Sequence, residues 1–458
     1  MTHLKNRALN PPKTPLSLQY ADWVTKLPES EIRRLLRFSP KYYFGGGKPG
    51  ILPVETFHKI VHDIVEEEKA LLKQKSNTVL NNYNYGVTTG NIELRKILAN
   101  RLQKRDNVSC TPEDIVITTG SQQILYAIND ALIRPRDIIL TTRPTYLGFL
   151  LPAEKLGATI VTLPSDNGGL IPEFIDDAIK LCKKNLGKTP KILYTIPYSD
   201  NPKGTTLSSK RKRMIIDTVF EYNDLLIVED AAYKEIQFKS GDNTIQPIKR
   251  YDTDNQRIAY LSTSTKEAAS FRMGYSVLPE ELRKAVIKAK GYYDLCSSEF
   301  VQAILAKYYD QYIDHQLPLI RQGYEERCKT MIHAIQEFMP NGSFTKPTGG
   351  FFVWYETSNQ KFDSLRFVHK AIDNGVSYVP GIAFYPQSGY SITEDSEFIP
   401  CEKPTNSMRL CFSLLSPELI IQGINLFGKI LSKELRTNYP WNSSNPRLSI
   451  LNSGSMPI

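Results

Sequence analysis

The chain has 458 residues, of which 41% are hydrophobic and 23% charged, and its formal net charge at pH 7 is +9. These proportions are typical of a soluble globular protein, and the length favours two packed domains over a single small core. Basic residues are spread along the sequence and are mixed with acidic ones, so the positive charge predicts no nucleic-acid-binding stripe.

The cysteines and the N-terminus bear on the compartment. Six cysteines are scattered without a CxxC pair, at Cys110, Cys182, Cys296, Cys328, Cys401 and Cys411. Their spacing argues against a zinc knuckle or a disulfide framework and indicates a reducing compartment. No apolar run reaches membrane-spanning length, and the opening MTHLKNRALNPPK lacks the apolar stretch of a signal peptide. We therefore expect a cytoplasmic enzyme with no membrane or nucleic-acid partner.

The first hundred or so residues are predicted to be mainly helical. A short amphipathic segment, 29–37, precedes the glycine run at 45–47. Apolar residues between 57 and 72 then recur at intervals of three, four and seven, which predicts an amphipathic helix. A turn segment at 83–90 leads into a second helix, whose apolar residues between 94 and 102 lie on one side.

From residue 113 to about 275, short apolar runs rich in β-branched residues alternate with helical patterns. The runs are residues 115–118, 138–140, 159–162, 192–195, 225–228 and 258–261. Continuous apolar strands separated by helices are typical of a mostly parallel sheet covered on both faces, so we predict an α/β fold. Ligands of such sheets bind beyond the carboxyl ends of the strands.

The remainder of the chain predicts a smaller α+β domain. A long helical stretch, 297–338, precedes strand candidates at 347–354 and 376–379, and the C-terminus is rich in Asn, Ser and Pro. We expect an N-terminal segment over 1–49, a large domain over 50–305, a small domain over 306–436 and a flexible tail over 437–458.

Uncharged polar residues follow two of the predicted strands. After the first strand, residues 119–122 open a helix, where free N–H groups and the helix dipole favour a phosphate. Glycine followed by serine also suits an ordinary N-cap. After the fourth strand, the 197–204 turn places the amide of Asn201 at the sheet edge, although Asn, Pro and Gly favour turns in any case.

Ionisable residues follow the next two strands. Asp230 and Tyr233 lie three residues apart, and a buried carboxylate there needs a cationic partner such as a pyridinium nitrogen. The hydroxyls of 262–265 and the guanidinium of Arg272 suit a phosphate. Between them, Lys266 can form a Schiff base if a partly desolvated site deprotonates its amine, although most lysines are solvated surface residues.

Together these segments resemble the fold-type I pyridoxal-5′-phosphate (PLP) enzymes, specifically the class I/II aminotransferases of the α-aminoadipate, kynurenine and aromatic amino-acid branch. The resemblance runs from about residue 42 to 431. Its motifs follow the family order: FGGGKP, YNYGVTTGNIELR, TTGSQQ, RPTYLG, LYTIPYSDNPKG, IVEDAAY, RMGY, KPTGGFFVW, VPGIAF and SMRLCFS. It implies the PLP-dependent transferase fold of type I, with a mostly parallel seven-stranded sheet in the large domain and a smaller α+β domain.

The resemblance also implies roles for single residues around the cofactor ring. Lys266 forms the Schiff base with PLP and then moves a proton, and Asp230 pairs with the pyridinium nitrogen. Asn201 and Tyr233 hydrogen-bond the ring oxygen, and Tyr146 stacks on the ring. The catalytic residues implied are therefore Lys266, Asp230 and Tyr233.

The phosphate and the substrate have implied partners as well. The side chains expected to hold the phosphate are Ser121, Gln122, Thr263, Thr265 and Arg272. Tyr85 is expected to reach the phosphate of the neighbouring subunit, so that the active site needs a homodimer. Arg409 is expected to bind the substrate α-carboxylate, with Asn201 and Gly46 as further substrate contacts. No metal is expected, because His58 and His62 lie four apart on a helix without a third ligand.

The sequence departs from the family at two places. Arg272 lies six residues after Lys266, where family members show seven or eight, and anchoring on Arg272 instead would put Thr265 in the lysine position. We prefer Lys266, because residues 257–266 align without a gap; the shortening then falls in 267–271 and leaves the reach of Arg272 open. Lys203 replaces the usual small residue of the turn and could add positive charge near the pocket.

The implied activity is transfer of the α-amino group of an amino acid to a 2-oxo acid, with 2-oxoglutarate as the expected acceptor. One alternative is a PLP enzyme that diverts the same chemistry to elimination, decarboxylation, oxidation or cyclisation. Another is a transcription regulator with an aminotransferase-like domain, although about forty residues before the glycine run are too few for a winged helix. Arg33, Arg34 and Arg37 could read a distal carboxylate, but a solvated helix face fits them at least as well.

Overall fold

The structure is a computed structural model that describes residues 18–27, 29–35, 37–74, 81–238, 245–339 and 342–438. The predicted tail at 437–458 lies outside these ranges except for its first two residues, which end the last helix. The helices of the described residues are α1 (Asp22–Lys26), α2 (Glu31–Leu35), α3 (Val54–Lys73), α4 (Ile92–Asp106), α5 (Ser121–Leu132), α6 (Leu147–Lys155), α7 (Phe174–Leu186), α8 (Ser209–Val219), α9 (Glu280–Tyr293), α10 (Glu299–Lys307), α11 (Ile313–Phe338), α12 (Ser364–Asp373) and α13 (Pro417–Asn438).

All six strands predicted from apolar runs are present, with ends shifted by one or two residues. The strands are β1 (Tyr42–Tyr43), β2 (Ile115–Thr118), β3 (Ile138–Thr142), β4 (Thr159–Leu163), β5 (Ser165–Asp166), β6 (Gly169–Leu170), β7 (Pro190–Thr195), β8 (Leu226–Asp230), β9 (Ile258–Thr263), β10 (Gly274–Val277), β11 (Gly342–Phe344), β12 (Phe352–Thr357), β13 (Val376–Ser377), β14 (Val379–Pro380), β15 (Tyr390–Ile392), β16 (Phe398–Pro400) and β17 (Ser407–Cys411).

The large sheet has the strand order β16-β15-β4-β3-β7-β8-β9-β10-β2. Strands β4, β3, β7, β8 and β9 are parallel, and β10 runs antiparallel between β9 and β2. Side chains of α5, α6 and α9 pack on one face of the sheet, and side chains of α7 and α8 pack on the other. The α/β prediction of a mostly parallel sheet covered on both faces is confirmed.

The sheet contains nine strands rather than the expected seven, because a hairpin at residues 386–402 extends it. Its strand β15 pairs in parallel with β4, and the hydroxyls of Thr162 and Ser391 lie 2.8 Å apart. Tyr390 stacks on Phe398 with ring centroids 4.6 Å apart. The two added strands have only three residues each, so their apolar content is too short to register as a run in the sequence.

A second sheet, of order β11-β12-β17-β14, is antiparallel and packs against α11, α12 and α13. Arg409 lies on β17 with Trp354 of β12 and Val379 of β14 as its register partners on either side. Strand β1 pairs in parallel with β13 and so attaches the N-terminal segment to this half of the molecule. The proposed domain boundaries remain a prediction, and the 386–402 hairpin joins its sheet from within the range assigned to the small domain.

No helix within the described ranges is both long enough and apolar enough to cross a membrane.

Candidate active site

The carboxyl ends of β2, β7, β8 and β9 lie at one edge of the large sheet, as their parallel directions require. This edge carries the N-terminus of α5, the 197–204 turn, Asp230 and the 264–272 loop. Most of the residues predicted to be functional therefore converge there. Tyr85 is the exception, because its side chain is 83% exposed on the outer surface.

Asp230 is the last residue of β8 and is almost completely buried. The hydroxyl of Tyr194 donates to Oδ2 at 2.9 Å, and the N–H of Ala232 donates to Oδ1 at 3.2 Å. Burial raises the pKa of Asp230 to about 6, against the opposing effects of these hydrogen bonds and of Lys266. A cation bound next to this carboxylate would lower that pKa and keep it ionised.

Lys266 follows β9 with its Nζ 4.5 Å from the ring centroid of Tyr233 and 5.5 Å from that of Phe351. Burial lowers the pKa of Lys266 to about 8, and Arg272 acts in the same direction, while Asp230 and Glu267 oppose it. About a tenth of the amine is therefore unprotonated at pH 7, far more than for a lysine with an ordinary pKa, and a nucleophilic lysine requires this free amine.

The 264–272 loop meets the N-terminus of α5. Gly120, Thr265 and Arg272 line a concave site for an anion there, called the cup below. Gly120 precedes α5 with φ +78°, and a Cβ there would lie 2.8 Å from Nη2 of Arg272. The shortened loop thus still brings the guanidinium to the helix N-terminus, with Arg272 itself in the left-handed region at φ 50°. The hydroxyl of Thr263 lies 3.0 Å from that of Thr265, and Cγ2 of Thr265 would lie 3.9 Å from a Cβ on Gly120. The assignment of the lysine position to Lys266 rather than Thr265 stays a prediction.

The side chains of Tyr146 and Gln122 are hydrogen-bonded to each other beside this cup. The hydroxyl of Tyr146 donates to Oε1 of Gln122 at 3.1 Å, and Nε2 of Gln122 donates to the carbonyl of Gly148 at 2.6 Å. The Gln122 carboxamide therefore orients the tyrosine ring, while its backbone N–H lies in the first turn of α5, next to that of Ser121.

Arg409 is 1% exposed and reaches this edge from the second sheet. Its Nη1 donates to Oδ1 of Asn201 and its Nη2 donates to the carbonyl of Gly45, each at 2.7 Å. The guanidinium carbon lies 4.0 Å from the centroid of Phe352. Nε has no partner, and the described residues offer this guanidinium no carboxylate. Gly46 follows the Gly45 carbonyl in the chain, and a Cβ on Gly46 would lie 2.5 Å from the Tyr43 hydroxyl.

Tyr233 packs edge-on against Phe351 and Phe352, with ring centroids 5.6 and 5.8 Å away. Burial raises the pKa of its hydroxyl well above the ordinary value, so the group stays a hydrogen-bond donor. Nζ of Lys203 donates to the carbonyl of Asp166 at 3.2 Å. Its charge opposes the rise that burial causes in the pKa of Asp200, in the same turn.

Sequence reasoning missed Tyr194, which holds Asp230, and Glu267, which follows the lysine. Tyr194 carried no usable signal, because its hydroxyl meets Asp230 only when β7 pairs with β8. Glu267 is 1% exposed and its Oε2 has no hydrogen-bond partner. Burial, followed by the nearby Glu235, raises the pKa of Glu267 to about 8.

Known proteins with this arrangement identify the family. The profile of aminotransferase class I and II matches residues 50–422. The chain belongs to this family. The aromatic-amino-acid aminotransferase 1 of Thermococcus litoralis is 35% identical over 89% of this chain and 92% of its own length. The 2-aminoadipate transaminase of Thermus thermophilus is 25% identical over 89% of this chain and 94% of its own.

A solved structure of another aminotransferase has the same fold as this chain. The kynurenine aminotransferase of Pyrococcus horikoshii superposes with a TM-score of 0.80 at 31% identity, covering 91% of this chain and 97% of its own. The protein is thus a PLP-dependent aminotransferase, which moves an amino group between an amino acid and a 2-oxo acid.

The residues at the sheet edge fit PLP. Asp230 is a buried carboxylate without an ion-pair partner among the described residues, which suits a pyridinium nitrogen. A partly deprotonated lysine suits an aldehyde, and the glycine-lined cup with Arg272 suits a phosphate. Since Oδ1 of Asn201 accepts from Arg409, its amide N–H groups remain available to donate to a ring oxygen.

We predict that Gly120→Ala lowers the affinity of the apo-protein for PLP about tenfold, because the new methyl group displaces Arg272 from the cup. The left-handed backbone at this position should also cost about 1–2 kcal/mol of stability. Titration of the apo-protein with PLP, followed by absorbance, measures the affinity. Gly187→Ala is the matched control, because Gly187 has φ +69° but open space around it. Equal PLP affinities of the two variants would contradict the prediction.

We also predict that Glu267 makes stability depend on pH. Its pKa in the folded protein, about 8, exceeds the ordinary 4.5, so its contribution is complete below pH 4.5 and is lost as the pH rises toward 8. The side-chain amide of a Glu267→Gln variant stays neutral, so the variant should gain stability over the parent by at most about 1.4 kcal/mol per pH unit in this window.

Thermal denaturation between pH 5 and 8.5 tests this expectation for the Glu267→Gln variant. Glu394→Gln, at an exposed glutamate, is the control. Parallel stability profiles of the parent and the Glu267→Gln variant would show that Glu267 is not protonated in the folded protein.

Proposed function

We propose that Lys266 binds PLP covalently and that Asp230, Asn201, Tyr233 and Tyr146 orient its ring. The observation that carries this proposal is the position of the Lys266 amine, which packs against Tyr233 and Phe351 with its pKa lowered to about 8. Ser121, Gln122, Thr263, Thr265 and Arg272 are proposed to hold the phosphate, the first two through their backbone N–H groups.

The chemistry divides between the cofactor and the chain. PLP, when bound, supplies an electron sink for the charge left at the substrate Cα after loss of its proton. Asp230 holds the proton on the ring nitrogen, because a buried carboxylate stabilises an adjacent cation. Tyr233 and the Asn201 amide donate hydrogen bonds to the ring oxygen. Nζ of Lys266 accepts the Cα proton and returns it, and its pKa of about 8 is close to the optimum for a base at neutral pH.

Arg409 is proposed to bind the substrate α-carboxylate. A guanidinium has about five N–H donors, and only two of those on Arg409 are engaged, by Asn201 and Gly45. The unpartnered Nε and the remaining Nη protons can therefore receive a carboxylate in a bidentate pair. Gly46 is proposed as a further substrate contact, at a position where a Cβ would lie 2.5 Å from the Tyr43 hydroxyl.

We infer that the amino donor has a large, aromatic side chain and that 2-oxoglutarate is the acceptor. Phe352 and Phe384 flank Arg409, at 4.0 and 4.9 Å from the guanidinium carbon. Burial raises the pKa of Tyr146, and the positive charges of Arg409, Arg272 and Arg33 oppose this rise, which supports a role for Arg33 near the site. Arg33 is thus proposed to attract the distal carboxylate of the acceptor, whereas Arg37 pairs with Glu29.

Sodium borohydride reduction followed by peptide mapping tests the attachment site. We expect the cofactor adduct on the peptide that contains Lys266, and none in the Lys266→Ala variant. Lys203→Ala is the matched control, since that lysine points away from the site. An adduct on another residue would overturn the proposal.

The same holoenzyme tests transamination. Aromatic amino acids should convert the visible absorbance of the cofactor to that of pyridoxamine phosphate, and 2-oxoglutarate should restore it. Release of ammonia or carbon dioxide with the cofactor unchanged would indicate one of the alternative reactions instead; no contact within the described residues favours these alternatives.

We further propose that two copies of the chain form the functional homodimer. Exposed aromatic and aliphatic residues of the 83–87 and 292–295 segments support an interface: Tyr83, Tyr85, Val87, Tyr292 and Leu295 are each at least 60% exposed. Contiguous exposed apolar surface marks a protein interaction site, and we propose that the two segments form one such patch. In that dimer Tyr85 would reach the partner's phosphate cup. We also propose a cytoplasmic location, which the six free cysteines support. A role in amino-acid biosynthesis is proposed from the similarity to transaminases of amino acids.

We predict that sedimentation equilibrium gives twice the mass of one chain. Tyr292→Glu should weaken this association, because it places a charge in the apolar interface. Glu394→Gln, outside the patch, should not. A monomeric parent protein with full activity would contradict the dimer proposal.

A further inference from the structure

Gln237 lies at the junction of three segments that each carry part of the active site. It is 3% exposed and follows Tyr233 by four residues. The other two segments are the 197–204 turn, which carries Asn201, and the 349–352 segment, which carries Phe351 and Phe352. No motif in the sequence singles out this glutamine.

The carboxamide of Gln237 is fully engaged in hydrogen bonds. Its Nε2 donates to the carbonyl of Tyr233 and to the hydroxyl of Ser199, each at 3.0 Å. Its Oε1 accepts from the hydroxyl of Thr206 at 3.3 Å. The Thr206 hydroxyl in turn accepts from the backbone N–H of Ser199 at 2.9 Å. The Gln237 side chain thus connects the Tyr233 backbone to Ser199, before Asn201, and to Thr206, after it.

The backbone of Gln237 holds the third segment. Gln237 forms an antiparallel bridge with Gly349, and the N–H of Phe238 donates to the carbonyl of Thr348 at 2.9 Å. The approach is close enough that a Cβ on Gly349 would lie 2.7 Å from Cα of Gln237. The next residue, Gly350, would meet Cβ of Ser199 at 2.7 Å if it carried a side chain.

Ser199 itself shows why the turn needs such support. Its φ of 40° lies in the left-handed region, which a serine adopts only when neighbouring contacts hold it there. Those contacts are the hydrogen bond that Gln237 donates to the Ser199 hydroxyl and the one that the Ser199 N–H donates to the Thr206 hydroxyl. Ser199 lies two residues before Asn201, so a relaxed Ser199 would change the direction of the Asn201 amide.

We propose that Gln237 is a positioning residue, whose carboxamide sets the Tyr233 hydroxyl and the Asn201 amide so that both donate to the same oxygen of the PLP ring. The inference rests on the proposed roles of Tyr233 and Asn201 and extends them to a residue that contacts neither cofactor nor substrate. Gln237 also fixes the start of the segment whose Phe352 packs on Tyr233 and Arg409.

The proposal has a spectroscopic consequence. Hydrogen bonds to the ring oxygen disperse its negative charge and weaken its hold on the proton of the adjacent nitrogen of Lys266. If both donors lose their alignment, that proton is held more tightly. The visible absorbance of the bound cofactor should then titrate at a higher pH.

The test is a pH titration of the visible absorbance of holoenzyme carrying Gln237→Met, which retains the side-chain volume but removes every carboxamide hydrogen bond. We expect the midpoint to rise by about 0.5 unit or more and kcat/KM to fall about tenfold, mainly through kcat. Asp230, Glu267, Arg272 and Cys411, the groups that face Lys266, are unchanged in this variant.

Two further variants keep the test decisive. Gln302→Met removes a buried glutamine that also bonds main-chain groups, at Asn91 and Ser297, and its midpoint should stay at the parental value. Thr206→Val removes one bond to Gln237 and should raise the midpoint by less than Gln237→Met does; it decides the outcome if the latter fails to fold.

An unshifted midpoint in folded Gln237→Met, or in Thr206→Val if it alone folds, would overturn the positioning role. A parent protein without cofactor absorbance or a response to amino acids would instead refute the proposed function, so the two failures are distinguishable.

Discussion

The active site is organised around the carboxylate of Asp230, which is buried at the end of β8. Burying an ionisable group is costly unless it is hydrogen-bonded or paired with a charge. The fold supplies two hydrogen bonds, from Tyr194 and from the N–H of Ala232, and under the proposed role of Asp230 the cofactor would supply the ionic partner. The pKa of Asp230 remains raised to about 6, because the two hydrogen bonds only partly offset the cost of burying the ionised carboxylate. The same apolar surroundings lower the pKa of Lys266 to about 8, so burial moves the pKa values of both groups towards neutrality.

The site also depends on the contact between the two sheets near Asp230. Arg409 belongs to the antiparallel sheet, yet its guanidinium donates to Asn201 of the turn after β7 and to Gly45 of the N-terminal segment. A substrate carboxylate bound there would therefore contact three separate parts of the chain. The guanidinium is buried and has no carboxylate partner among the described residues, so under the proposed role of Arg409 an anionic substrate would supply the missing charge.

The 386–402 hairpin links the same two sheets on their outer side. The chain leaves the antiparallel sheet after Pro380, adds β15 and β16 to the edge of the large sheet, and returns at Ser407, two residues before Arg409. The carbonyl of Phe384 also accepts from the N–H of Thr145, next to Tyr146. Main-chain hydrogen bonds on both sides of the site thus constrain the position of Arg409 relative to the large sheet.

The sequence by itself determined the strands of the parallel sheet and the residues that follow them. Apolar runs and strand-end residues such as Asp230 and Lys266 depend on local order along the chain, and parallel strands necessarily bring their carboxyl ends to one edge. The family motifs added Arg409, which lies within a strand of the second sheet, and Tyr146, which follows the end of β3.

Only the tertiary structure decided which groups touch across that edge. The contact of Tyr194 with Asp230 depends on the pairing of β7 with β8, and Arg272 reaches Gly120 because the short loop turns through a left-handed residue. The burial of Glu267 and the three-way junction at Gln237 likewise arise from segments far apart in the sequence. Local patterns carry no information about such contacts, because the distances and the burial are set by how the two sheets pack.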